Sequence, residues 1–107
     1  MNDDWKIRLI VLDRGFILVC RCPPPQDYAL WMPYTDRRTV RHWGTTGGIA
    51  ELCGGPTENT VLDTLCPAGQ VPVRAILDVM EVEQSKWEPH LRTEVPAGST
   101  ARSGRRS

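Results

Sequence analysis

The sequence is poor in aromatic residues, with one Phe, two Tyr and four Trp in 107 positions, so a few rings must anchor whatever core it forms. Histidine is scarcer still. With only His42 and His90, no residue set supplies a nucleophile, a base and an oxyanion donor together, and the chain is expected not to be an enzyme. Pairing His42 with Cys53 or Cys66 lacks any local signature, and Glu81 with Glu83 reads more simply as a strand end leaving the sheet. Lysine is missing between Lys6 and Lys86. That excludes a P-loop, which ends in Gly-Lys-Ser/Thr, and no G-x-G-x-x-G is present for a dinucleotide. No cofactor is therefore expected.

Long apolar runs are absent too. The start, MNDDWKIRLIVLDRG, places acids before its apolar stretch and charges within it, which fits neither a signal peptide nor a spanning helix. The expectation is a cytoplasmic protein that avoids membranes. Its four cysteines, Cys20, Cys22, Cys53 and Cys66, would then be reduced thiols. Their spacing lacks the knuckle turn that wraps zinc, since Cys20 and Cys22 stand one residue apart on one face of a strand. They read as small buried hydrophobes with no metal.

Net charge is also lacking, with 13 basic and 13 acidic residues, but the balance is uneven along the chain. Beyond Leu91 four arginines face one acid, whereas residues 1–91 hold nine basic and twelve acidic groups. Nucleic acid is thus an expected partner only through the tail. Residues 92–107 (RTEVPAGSTARSGRRS) have no apolar periodicity and read as a disordered basic tail on a single β-rich domain, residues 1–91.

What is present is strand alternation and turn chemistry. Residues 5–12 (WKIRLIVL) place Trp5, Ile7, Leu9 and Val11 on one face and Lys6 and Arg8 on the other. DRG follows, with Gly15 free to take positive φ, and residues 16–20 (FILVC) complete a hairpin. Three prolines end that strand. Residues 28–32 form a third strand stopped by Pro33, and residues 39–43 a fourth. Residues 48–53 suit a short helix capped by Thr45 or Thr46 and stopped by Gly54-Gly55-Pro56. Residues 60–65 read as a brief strand, CPAG as a turn, residues 71–82 as the longest strand, and SKWEPHL as a last helical turn. The whole predicts a mainly β fold, a small antiparallel barrel or roll of five or six short strands with one short helix.

One stretch concentrates chemistry. In RRTVRHWGTTGG, Arg37, Arg38 and Arg41 precede Trp43, Thr45, Thr46, Gly47 and Gly48. Glycine amides, hydroxyls, a nearby helix start, guanidinium groups and an indole face together suit a nucleotide-like anion. The same residues also read as scaffold, with solvated arginines, turn glycines, a threonine cap and Trp43 in the core. The favoured expectation is mixed. Trp43 and Thr46 are structural, and the arginines face a partner.

The pattern Val40-Arg41-x-Trp43-Gly44-Thr45-Thr46-x-Gly48-Ile49-x-Glu51-Leu52, then Gly55-Pro56-Thr57, then Thr60-Val61-Leu62-Asp63, resembles a family of small proteins of tailed phages and prophages. The likeness spans residues 7–87, with CPPPQ and the tail as departures. The family has no established activity, so the resemblance carries no site residues over. It implies a phage or prophage origin and a binding role: an inhibitor of host defence, of the anti-CRISPR or nucleotide-signal-sequestering type, gripping a protein or a nucleotide-like anion. The alternative is a structural or assembly component of the phage, and a nucleotide-processing enzyme is a distant third. A homo-oligomer is compatible with either binding role.

Overall fold

The first strand, β1 (Lys6–Leu12), contains LIVL after its second charge, and an unbroken apolar run is what a strand covered on both faces needs. Both faces are in fact covered. Ile7 and Leu9 enter one core cluster and Ile10 another, and Arg8, expected in water, is only 5% exposed. The computed structural model describes residues 5–92; apart from Arg92, the expected basic tail lies outside the described residues.

The hairpin forms as its turn residues dictate. β1 pairs antiparallel with β2 (Ile17–Cys22) from Lys6↔Cys22 to Val11↔Ile17. The chain reverses through a 3₁₀ turn at Asp13–Gly15, with Arg14 at φ 65° and Gly15 at φ 81°. The left-handed conformation is cheap for glycine and strained for Arg14.

The next strand departs from expectation. β3 (Trp31–His42) is one twelve-residue strand that replaces the two separate ones expected at residues 28–32 and 39–43. Pro33 does not stop it. It faces Gln70 on one side, while the ladder with β2 involves only Thr35, Arg38 and Thr39, so its missing N–H falls beyond the β2 edge. Between Thr35 and Arg38 the register slips by one residue, and Asp36 sits at φ 52°. This is a β-bulge, and it resets which side each later residue of β3 faces.

Residues 71–82 also divide. β5 (Cys66–Pro72) runs along β3 and contains the expected CPAG turn as strand, then a 3₁₀ turn at Val73–Ala75 leads into β6 (Ile76–Glu81), which pairs with β1. Pro72 marks the break, because proline cannot extend a ladder through its own nitrogen. The strand expected at residues 60–65 shrinks to β4 (Val61–Leu62) beside Val40 and His42.

Pairing follows the order β4-β3-β2-β1-β6, with β5 also on β3. The fold is thus mainly antiparallel β with one short helix, α1 (Gln84–Trp87). No pairing among the described residues joins β5 to β6, so the sheet curls into an open roll. Inside the curl lie Ile10, Leu18, Cys20, Cys22, Met32 and Val71. Outside, the 3₁₀ segments Ile49–Gly54 and Glu88–Leu91 and α1 cover Ile7, Leu9, Ile17 and Val19. Trp87 is the anchor of that cover. Its indole is fully buried and donates from Nε1 to the Leu52 carbonyl at 2.7 Å. Burying each such apolar side chain contributes about 1.5–3 kcal/mol.

Candidate functional site

The bulge at Asp36 decides the fate of the three arginines. Arg37 turns inward and stacks over the Tyr34 ring, 5.3 Å from its centroid, with its Nε buried and without a hydrogen-bond acceptor. Arg38 turns the other way. Its Nε donates to the Asp63 carbonyl at 2.8 Å and its Nη1 to the His90 carbonyl at 3.2 Å, tying the two connecting segments to β3. Arg41 is the exposed one of the three, its side chain 72% exposed, and it pairs with Asp63 at 2.7 Å. The expected arginine cluster is three separate environments.

Beyond β3 the WGTT loop is held by hydroxyls from the next two segments of the sequence pattern. Thr57 Oγ1 donates to the Gly44 carbonyl and Thr60 Oγ1 to the Trp43 carbonyl, both at 2.6 Å. The Thr57 amide donates back to Thr60 Oγ1 at 2.9 Å. Gly44, at φ 68°, lies so close to the Asn59 and Thr60 backbone that no side chain fits there. The WG, GPT and TVLD pieces, separate in sequence, therefore build one clamp.

The helix expected at residues 48–53 is the 3₁₀ segment Ile49–Gly54, entered through Gly48 at φ 93° with no side-chain cap. Neither Thr45 nor Thr46 caps it. A carboxylate does related work nearby: Glu51 Oε1 accepts from the Thr46 amide at 3.1 Å and the Gly47 amide at 2.8 Å. The loop does gather amides around an anion, as its glycines suggest. The anion is the chain's own.

Trp43 belongs to neither core cluster and is 43% exposed. With Arg41, His42, Gly44 and Thr45 it lines an open hollow of about 340 Å³, where Thr45 Oγ1 is buried and without a partner. A second hollow of similar size, lined by Arg41, Val61, Leu62, Asp63 and Thr64, lies on the far side of Arg41. The surface is thus an aromatic face and a neutralised cation over shallow relief. Asp63, which neutralises Arg41, and Glu51, which occupies the loop amides, were not singled out from sequence as site residues. An acid near an arginine run is the only signal that points to them.

Titration is perturbed elsewhere. Arg21 bridges Asp36 at 2.9 Å and Glu88 at 2.6 Å, and its hydrogen bond holds the Glu88 carboxyl below the usual carboxylate range. On the inner face interaction with Cys22 and burial raise the Cys20 thiol, whereas interaction with Cys20 and with Arg8 lowers Cys22. Burial raises Tyr34 and Cys53. Among the described residues no three His, Cys, Asp or Glu side chains converge to hold a metal ion, and no helix is long and apolar enough to cross a membrane. Comparison with protein-family models, with characterised proteins and with solved structures finds no match for this chain.

Proposed function

We propose that this chain is a small non-enzymatic binding protein of the phage type that its sequence resembles, an inhibitor that grips a host defence protein through the Trp43–Arg41 face. The observation that carries the reading is Trp43: an indole 43% exposed beside a solvent-facing arginine, on a loop whose Trp43 and Gly44 carbonyls are clamped by the Thr60 and Thr57 hydroxyls. A rigid, exposed Trp–Arg pair is the residue chemistry of protein interface hot spots. Rigidity matters because a pre-ordered anchor loses little entropy on binding.

A protein partner is favoured over a nucleotide on this surface. The amides suited to phosphate are engaged by Glu51, Arg41 is paired with Asp63, and the hollow is too open to bury most of a small ligand. The test is quantitative capture from host lysate by the full chain, compared with the Trp43→Ala/Arg41→Ala double variant, alongside a thermal-shift panel of nucleotides. The expected result is a host protein lost from the double variant and no nucleotide shift. Equal capture by both proteins, or incorporation of the chain into virions, would overturn the reading.

A further inference from the structure

The outer edge of β5 has no strand beside it among the described residues, since β5 pairs with β3 alone. Four successive residues along it, Pro67, Ala68, Gly69 and Gln70, are exposed. The Val73 amide donates to the Leu30 carbonyl at 2.9 Å, so by alternation Val71 opposite Met32 and Gly69 opposite Tyr34 hold the positions that bond to β3. Pro72 opposite Trp31, Gln70 opposite Pro33 and Ala68 opposite Thr35 are the non-bonded pairs. Both prolines, which lack an N–H, fall in these pairs. Gln70 and Ala68 therefore turn their N–H and C=O groups to the open edge.

Beside this edge the outer side of the sheet is uncovered. Trp31 lies directly opposite Pro72, in a pair whose side chains stand close, and its indole is 51% exposed, with Leu30 beside it at 75%. Together with Ala29 and Arg74 they line a hollow of about 190 Å³. Arg74 is exposed, and unlike Lys6, Arg21 and Arg41 it has no carboxylate within ion-pair distance among the described residues. Contiguous exposed apolar side chains mark contact surfaces, whereas scattered ones do not.

We propose that β5 takes up an extended acidic segment of a partner protein as an added strand, with its backbone on Gln70 and Ala68, an apolar side chain in the Trp31 hollow and a carboxylate on Arg74. Strand addition draws affinity from main-chain bonds and specificity from the pockets that alternate side chains meet. The free guanidinium selects the acid. Two features disfavour a second copy of this chain: Cys66–Pro72 holds no acid to answer Arg74, and a few side chains around a small hollow fall well short of the ~800 Å² per partner that a stable dimer buries. A short extended segment needs no more than the edge offers. The surface is independent of the Trp43 face, because Trp31 opens β3 and Trp43 follows its last residue.

The test selects binders of the full chain from a yeast-displayed library of random linear peptides and measures the selected peptides by fluorescence anisotropy. The expected result is peptides in which an acid alternates with apolar residues, with binding at least about tenfold weaker in Trp31→Ala and in Arg74→Ala and unchanged in Trp43→Ala/Arg41→Ala. Gln70→Pro removes an outward N–H that β3 does not use and should weaken binding too. Should that variant fail to fold, N-methylation of alternate amides in the selected peptide reads the same bonds: one alternate set abolishes binding and the other leaves it intact. No enriched peptide, enriched peptides without acids, affinity indifferent to Trp31 and Arg74, equal effects of the two methylation sets, or self-association of the chain lost in Gln70→Pro would overturn the assignment.

Discussion

The Gln84 side-chain amide pairs with both backbone groups of Ile7: it accepts from the Ile7 amide at 2.9 Å and donates to the Ile7 carbonyl at 2.8 Å. One side chain thus does for the start of β1 what a neighbouring strand does elsewhere. Ile7 is fully buried, so Gln84→Ala strands a backbone donor and acceptor, each costing about 1–3 kcal/mol when unsatisfied. Denaturant unfolding should show a loss of about 2–6 kcal/mol for the two groups together. Gln84→Glu keeps the acceptor alone and should fall between wild type and alanine.

The two tryptophans that flank the Ile49–Gly54 segment should behave oppositely. Trp87→Ala removes a fully buried ring and the partner of the Leu52 carbonyl, with an expected cost of about 3–5 kcal/mol. Trp43→Ala removes a half-exposed ring and should cost about 1 kcal/mol or less. Urea midpoints of the two variants check both values. A large loss from Trp43→Ala would return that residue to the scaffold.

Much of the fold was legible in the sequence where the signal is local. The first hairpin follows from one apolar run, one DRG turn and another run. β3 was not legible, because Pro33 reads as a stop unless one knows that β2 pairs only with the later part of the strand. Nor does any residue type announce the bulge at Asp36, and without it Arg37, Arg38 and Arg41 look like one cluster. The WGTT loop was legible as a place of amides and hydroxyls. Its occupant was not, since Glu51 becomes the anion only once the chain has folded back upon it.

Acid should weaken one specific link. The Glu88 carboxyl is held below its ordinary value by Arg21, so the folded state prefers its ionised form more than the unfolded chain does. That contribution is fully present above the unfolded carboxylate value and is lost as pH falls through the depressed one. Because Glu88 is partly exposed the effect is modest. Wild type should exceed Glu88→Gln in melting temperature at neutral pH, and the gap should close in acid.

Gly44 should resist substitution. At φ 68° against the Asn59 backbone, an added methyl is both strained and without room, so Gly44→Ala should cost well over ~1 kcal/mol. Gly54→Ala, with open space and no positive φ, should be close to neutral in the same thermal melt.

The Glu51 carboxylate lies only four residues along the chain from the Gly47 amide that it accepts from. It therefore acts as a tethered competitor, whose effective concentration at the loop is on the order of millimolar or higher. Free acetate or phosphate at low concentration has little chance of displacing it. Under the proposed role, an acidic side chain delivered by a docked protein would compete with it on more equal terms than a free ion does.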